Sequence, residues 1–529
     1  MVSPIFTTSR GSTVAQTDTV NRAGGKAYAL SPKQALAQYS VTGCFGDVFY
    51  ADAEEQLKEV AELAAKCPPR FVAQCAVYAR TKGHMKDMSA YLLAHLTTRG
   101  PEGLVALRSA WPHVIDNGKM LRNFVQIVRS GAVGRKSMGT AVKRLVQSWI
   151  NARHADGLFR DSVGEKPSMV DVIKMVHPKP ADDARKALYG YLLSKEHNAE
   201  LLPELVTHYE AFKQCQKIVN DNELKRIQLS VPDVPFQMLD SLGLTSDQWK
   251  GIAARAGWQM TRMNLNTFKR HGVFDDKALV KTLAKRLSDA EEVKRARVFP
   301  YQLMMAFKAA SDIPHELSEA LQDAMEHSVA NVPSFGENVV VALDISSSMH
   351  TPVTGARKGA TTQVSCSDAA AMFAAAILRK NPGAKLLAFS DDLLEVKVNP
   401  RDSVATITQR LASLPSGGTN CSLPMIHLNT KGLKADVVIY LSDNESWKDN
   451  DHYRVGTTLS NEWLKFKQKN KNAKLVCVDL SPNTTTQACS GIDRLNVGGF
   501  SDAVFDVIAT FADKPSTDSW VDKISEVAI

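Results

Sequence analysis

The spacing of apolar residues changes character once along this chain. From about residue 50, apolar stripes recur every three or four positions with breakers between them, the period of amphipathic helices. ADAEEQLKEVAELAAK opens on Asp52 as an N-cap, carries Leu57, Val60, Leu63 and Ala64 on one face, and stops at Cys67-Pro68-Pro69. FVAQCAVYAR follows with Phe71, Val72, Cys75, Tyr78 and Ala79 as its stripe, and Asp87 caps MSAYLLAHL before Gly100-Pro101. TAVKRLVQSWIN turns Val142, Leu145, Val146, Trp149 and Ile150 inward and leaves Lys143, Arg144 and Gln147 outside. Further amphipathic segments lie near 181–195, 199–219, 278–293 and 301–310. Stacked helix pairs fit this rhythm, because no single pair buries its own apolar face, although no strict internal repeat is present. The strand signal in this part is a small hairpin around GGKAYAL and GCFGDVFY.

After the connector NVPSFGEN (331–338) the pattern becomes strand and helix in alternation. ENVVVALD, AKLLAFS, ADVVIYLSD and AKLVCVDL read as strands buried on both faces. SDAAAMFAAAILRK, RDSVATITQRLASL, EWLKFKQKN and SDAVFDVIATFA read as the helices that cover them. The expectation is a multidomain α and α/β chain: a disordered polar lead over 1–19, a helical part over 20–335, and a doubly wound, Rossmann-like domain over 336–529. In such a sheet the functional loops lie at the carboxyl ends of the strands.

That rule gives weight to the ends of the apolar runs. The first strand ends in Asp344, Ser346 and Ser348, spaced D-x-S-x-S, and another ends in Ser442-Asp443-Asn444-Glu445. Between them LPSGGTNCS places Thr419 after two glycines. Hydroxyls with few carboxylates suit a hard divalent cation, above all Mg²⁺, which keeps waters and so retains positions for a partner's acidic group. The competing reading is capping, in which Asp344 and the serines only satisfy the turn that follows. A nucleophilic serine fits poorly, since no G-x-S-x-G elbow and no triad order surrounds it. One metal held largely by hydroxyls also offers little for phosphodiester hydrolysis, so no enzymatic activity is expected.

Charge divides the chain at the same place. From residue 336 on there are 20 Lys+Arg against 21 Asp+Glu, leaving 44 against 35 in the first 335 residues. All of the net +8 therefore belongs to the helical part, where a polyanion partner and a merely solvated basic surface remain equal readings. The eight cysteines form no CxxC pair and read as buried free thiols, which points to the cytoplasm. No apolar run of membrane-spanning length is present, and the first residues have no apolar signal-peptide core.

DISSSM, SGGTNCS and SDNE resemble the metal-ion-dependent adhesion site of von Willebrand factor A (vWA) domains. Carried over by motif, the implied ligands are Asp344, Ser346, Ser348, Thr419 and Asp443. AFSDD (388–392 region), GGTNCSLPMIH and LSDNESW look more narrowly like the vWA domain of Ro autoantigen, or TROVE-module, proteins. DVIKMVHPKP (171–180), LNTFKRHGVF (265–274), RVFPYQLMMAF (297–307) and GGKAYAL with VFYADAEEQL are similar to segments of the TROVE module, so the resemblance covers roughly 20–529. It implies a ring of α-helical (HEAT-like) repeats closed by the vWA domain. Misfolded or decaying non-coding RNA would enter the hole by single-stranded 3′ ends, and a Y-type small RNA would bind the outer surface. It further implies a monomeric, cytoplasmic ribonucleoprotein scaffold of RNA quality control or repair, working with an exoribonuclease and without a membrane. His177 and Lys179 match the segment nearest the RNA path, with Arg160, Lys166 and Lys174 extending it; Lys143, Arg144, Arg262, Lys269 and Arg270 are further candidates. Gly164 stands where relatives are expected to carry a basic residue. An intracellular Mg²⁺-dependent protein-interaction scaffold without an RNA role is the alternative.

Overall fold

The computed structural model describes residues 14–43, 53–164, 166–221, 230–296, 298, 300–310, 312–329, 332–353, 364–399, 401–448, 456–501, 503–513 and 518–529. Asp52, Arg297 and most of GCFGDVFY lie outside them. Nine strands are described: β1 Thr19–Val20, β2 Lys26–Ala29, β3 Val339–Asp344, β4 Lys385–Phe389, β5 Leu393–Val396, β6 Val437–Ser442, β7 Lys474–Asp479, β8 Thr485–Thr486 and β9 Arg494–Gly498. Six form one sheet in the order β5-β4-β3-β6-β7-β9, parallel except for the β4–β5 hairpin. The edge strand β5 and the last strand β9 were not legible as apolar runs: LLEV is half exposed, and RLNVG is short and polar at alternate positions.

Every residue of β3 and β6 is buried, as their unbroken aliphatic runs require. On one face Val340, Leu387, Tyr440 and Phe389 pack with Met425 and Trp463 from the helices Leu423–Thr430 and Thr458–Lys469. Helices Cys366–Lys380 and Val404–Ala412 pack against each other, the first also against β3 and β6. Full burial of side chains such as Phe389 stabilises the layer by roughly 1.5–3 kcal/mol each. The chain leaves β3 for β4 on one side and later returns to β6 on the other. The crevice between the carboxyl ends of β3 and β6 is therefore the topological switch point of the sheet.

The chain divides into two compact units that cross the sequence segments 20–335 and 336–529: one comprises Met1–Met88, Phe299–Met305 and Met325–Ala528, the other Ser89–Val298 and Ala306–Ala324. The first stretch joins the α/β unit through long-range pairing. β2 is flanked by β1 on one edge and by β8 on the other, Tyr28 opposite Thr486. The GCFGDVFY part of the hairpin expected with GGKAYAL lies, beyond Gly43, outside the described residues. Residues 14–19, expected to be a disordered lead, are held here as well: Ala15 O accepts from the Tyr28 hydroxyl at 3.0 Å, and Asp18 accepts the Ala29 N–H at 2.7 Å. Helix Pro32–Thr42 packs on Ser519–Ser525 and β9, and the Gln74 amide donates to the Ser525 and Val527 carbonyls.

The other unit is helical. Gly118–Ser130 shows why: the Asn117 carboxamide accepts the Met120 N–H at 3.0 Å, Leu121, Phe124, Val125 and Val128 are buried on one stripe, and Gly131 ends the helix at φ 92°. Gly139–Ala152 buries Val142, Val146 and Ile150, leaves Lys143 and Arg144 exposed, and keeps Leu145 only half-buried. The segment read as one helix over 278–293 is two, Lys277–Leu287 and Ala290–Ala296, separated at Ser288-Asp289, where Asp289 accepts the Glu292 N–H. The described cysteines are free thiols.

Candidate metal centre and basic surface

Three loops meet at the switch point. β3 delivers Asp344, whose carboxylate is satisfied twice: the Ser346 N–H donates to Oδ1 at 2.8 Å and the Ser442 hydroxyl to Oδ2 at 2.5 Å. These bonds turn the chain so that the Ser346 and Ser348 hydroxyls lie 3.1 Å apart. Ser347, between them, points elsewhere; its N–H and hydroxyl both donate to the Gly417 carbonyl. That contact ties the serine loop to the loop carrying Thr419. There the Asp391 carboxylate accepts the Gly418 N–H at 2.7 Å and pairs with Lys448, while the Trp447 and Lys448 N–H groups both reach the Thr419 carbonyl at 3.3 Å. β6 supplies Asp443, whose carboxylate accepts the Glu445 N–H at 3.3 Å. Asp344, Ser346, Ser348, Thr419 and Asp443 are each at most 4% exposed. The five residues singled out in the sequence are thus gathered at one strand-end crevice.

The electrostatics of this crevice favour a cation. Burial, and then the neighbouring Asp443, push the Asp344 carboxyl up to about 7. Asp443 is raised by burial as well, against the opposing effects of the Ser348 hydroxyl and the Glu445 N–H. Two carboxylates buried side by side resist ionising unless positive charge enters. Among the described residues, no group of three or more His, Cys, Asp and Glu side chains is placed to hold a metal. A cation here would rest on hydroxyl oxygens as much as on carboxylates, the ligand chemistry of a hard divalent ion. The residues present fit such an ion.

Sequence reasoning missed what secures the third loop. The turn Asn21–Gly25 lies on it: the Asn21 amide donates to the Ser446 carbonyl at 2.7 Å, and the Ala23 N–H donates to the buried Glu445 carboxylate at 3.2 Å. Gly25 lies so close that a Cβ there would collide with the Ser446 carbonyl. Arg22 extends the clamp to the Pro482 carbonyl and to Tyr39 and Glu59. Nothing local in NRAGG signals this role, because it depends on contact with residues more than 400 positions away.

In the helical unit the basic candidates separate into two groups. Helix Met169–Val176 ends on His177 in the left-handed region at φ 50°, with the Ser168 hydroxyl capping its start. Gln147 and Asn151 of helix Gly139–Ala152 fasten the connector, Gln147 to the Val176 carbonyl at 2.5 Å and Asn151 to the Lys179 carbonyl at 3.0 Å. Lys143, Arg144, Lys174, His177 and Lys179 are all exposed on this helix–connector layer. Lys166 and Arg270 are exposed too. The second group is engaged within the protein. Arg160 donates to the Asp233 carbonyl at 2.8 Å and pairs with its carboxylate at 2.7 Å; Lys269 pairs with Asp312 at 3.5 Å; Arg262 is half-buried. At Gly164 the φ of 123° favours glycine, and the Arg122 guanidinium fills the space where a side chain would begin. The Arg122 guanidinium therefore lies beside Gly164, a contact the sequence did not reveal.

A doubly wound sheet with D-x-S-x-S, Thr and Asp at its switch point defines a vWA-type α/β domain, here in one chain with a helical module. Residues 338–512 match the family model of the Ro60 vWA domain, and residues 186–375 match that of the TROVE domain, the two overlapping over 338–375. The chain is 24% identical over 523 residues to the RNA-binding protein RO60 of Deinococcus radiodurans, covering 93% of this chain and 94% of that one. With the RNA-binding protein RO60 of Caenorhabditis elegans it shares 29% identity over 206 residues, 36% of this chain and 31% of that one. The crystal structure of the Deinococcus radiodurans RO (RSR) protein has the same fold, with a TM-score of 0.61 at 21% identity over 91% of this chain and 99% of that one. The chain therefore carries a TROVE domain and a Ro60-type vWA domain, and along nearly its whole length it resembles a bacterial RNA-binding protein RO60.

Proposed function

We propose that the chain is an RNA-binding scaffold of non-coding RNA quality control or repair. The observation that carries this reading is the layer of exposed cations formed by Lys143, Arg144, Lys174 and Lys179, with the exposed His177 among them, in a chain similar to proteins named as RNA-binding. Phosphate neutralisation by such a layer gives affinity that falls steeply with salt. In this reading a Y-type small RNA binds the outer helical surface, and single-stranded 3′ ends of misfolded RNA occupy a central hole near His177 and Lys179. The strand-end crevice holds one Mg²⁺ through Asp344, Ser346, Ser348, Thr419 and Asp443, the aspartates binding directly or through water. That ion serves a protein partner such as an exoribonuclease by accepting its acidic side chain; it does not hydrolyse RNA. The protein is monomeric and cytoplasmic.

The test is binding of a single-stranded 3′ end and of a hairpin RNA by the purified protein, measured by fluorescence anisotropy across a salt series. Replacing His177 and Lys179 with glutamate is expected to weaken single-strand binding at least tenfold without changing the melting temperature. Unchanged binding would remove the hole assignment. The order of the strand-end crevice keeps open a second reading, a Mg²⁺-dependent protein-interaction scaffold without RNA. Chelator-sensitive capture of a protein partner by a chain that binds no RNA would favour it.

A further inference from the structure

Helices Gly100–Val114 and Gly139–Ala152 border a cleft of about 280 Å³, lined by Arg108 from the first and by Thr140, Ala141, Arg144, Leu145 and Ser148 from the second. The lining is ordered by helical geometry. Thr140, Arg144 and Ser148 recur at every fourth position and form one polar column, and Ala141 with Leu145 forms the apolar column beside it. No carboxylate is among the lining residues. Arg108 and Arg144 are both exposed, and neither has a hydrogen-bond or ion-pair partner among the described residues. The helix that begins at this cleft has Met138 at its N-cap with no side-chain cap hydrogen bond, so the first-turn amides near Thr140 and Ala141 add positive potential to the same concavity.

Two unpaired guanidinium groups around one concavity call for an anion, and arginine's planar fork matches phosphate oxygens. An adjoining apolar column and two hydroxyls add features that a bare phosphate does not use. The volume is small beside the roughly 300–1,000 Å³ of pockets for drug-sized ligands. We infer that this cleft is a subsite for one nucleotide of an RNA strand, with its phosphate between Arg108 and Arg144, its sugar or base against Ala141 and Leu145, and the Thr140 and Ser148 hydroxyls serving the ribose. The inference rests on the RNA-binding reading and adds Arg108, Thr140 and Ser148, which the sequence had not marked.

The experiment titrates a fluorescent single-stranded oligouridylate with full-length protein at several KCl concentrations. Arg108→Ala/Arg144→Ala is expected to bind at least tenfold more weakly at about 0.1 M salt, with the log–log salt slope reduced by about 0.7, as loss of one single-strand phosphate contact requires. Arg108→Lys/Arg144→Lys is expected to keep the slope and lose only part of the affinity. Lys277→Ala/Lys281→Ala, on an exposed helical face, removes the same charge elsewhere and is expected to stay within about twofold of wild type. Wild-type-like binding by the double alanine variant, or an equal loss in the Lys277/Lys281 control, overturns the subsite while leaving RNA binding intact. No binding by the wild type overturns the RNA reading and the subsite with it. Melting curves of all variants confirm that folding is unchanged, as expected for exposed side chains.

Discussion

The strand-end crevice and the basic helical layer meet charge in opposite ways. In the crevice, carboxylates are buried and held by named donors, Asp344 by Ser346 and Ser442, Asp443 by Glu445. On the helical layer the cations point to solvent, and what is held is the backbone beneath them, through Gln147 and Asn151. A buried site of this kind requires each oxygen to be placed, so its residues are few and non-interchangeable. Outside the Arg108–Arg144 cleft, a solvent-facing basic layer acts through summed charge, so the effect of any one member is small.

The largest expected effect sets the two regions against each other directly. Reversing Lys143, Lys174, His177 and Lys179 to glutamate should lower RNA affinity by a hundredfold or more near 0.1 M salt, with little change in melting temperature. Asp344→Asn should leave RNA affinity within about twofold yet abolish the rise in melting temperature that Mg²⁺ is expected to give the wild type by binding the folded state alone. Equal loss of RNA binding in both variants would break the comparison, since the two regions would then act as one. Next in size is Gly25→Ala. Its Cβ meets the Ser446 carbonyl, a backbone atom that cannot swing aside, so stability should fall by about 1–3 kcal/mol. The same variant should weaken the Mg²⁺ response while leaving RNA affinity unaltered; an unaffected Mg²⁺ response would show that the Asn21–Gly25 clamp is only structural.

These contrasts also explain what could be read from the chain. β3, β4, β6 and β7 were legible because strands buried on both faces must be apolar throughout, and D-x-S-x-S is a local spacing that a turn enforces. β9 and β5 were missed because edge positions relax that demand. The place of the first 88 residues was illegible for another reason: β2 pairs with β8 across more than 450 positions, and a pairing at that distance leaves no mark on local periodicity. On the helical side, exposure was foreseen for Lys143 and Arg144 by the stripe at Val142, Val146 and Ile150. Whether a cation is spoken for was not foreseeable, because Asp233 lies 73 positions from Arg160.

The helical unit has a buried titratable group of its own, which gives a third and smaller contrast. His95 is 7% exposed and its Nε2 has no hydrogen-bond partner among the described residues. Burial, and secondarily Arg99, lower its pKa to about 4. A histidine held neutral in the folded state gains its proton more readily when unfolded. Its contribution to stability is therefore complete above the ordinary value near 6.5 and is lost as pH falls through about 4. His95→Leu should flatten the decline of melting temperature between pH 7 and 4 relative to wild type. A parallel decline in the two proteins would show that the acid sensitivity arises elsewhere.

The smallest effect concerns a cation that the fold has already partnered. Arg160 and the Asp233 carboxylate are 39% and 76% exposed, so their pair contributes about 0–1 kcal/mol to stability. Asp233→Asn removes the competing carboxylate but leaves its carbonyl to accept from the Arg160 Nε. The guanidinium then keeps its position with its charge unneutralised. If Arg160 belongs to the RNA surface, affinity for a structured RNA should rise by up to about threefold, and the gain should shrink with salt as the added phosphate attraction is screened. Arg160→Ala in the same background should cancel the gain. A rise that survives Arg160→Ala would assign the effect to the loss of one negative charge and leave Arg160 as a structural partner of the 230–235 segment.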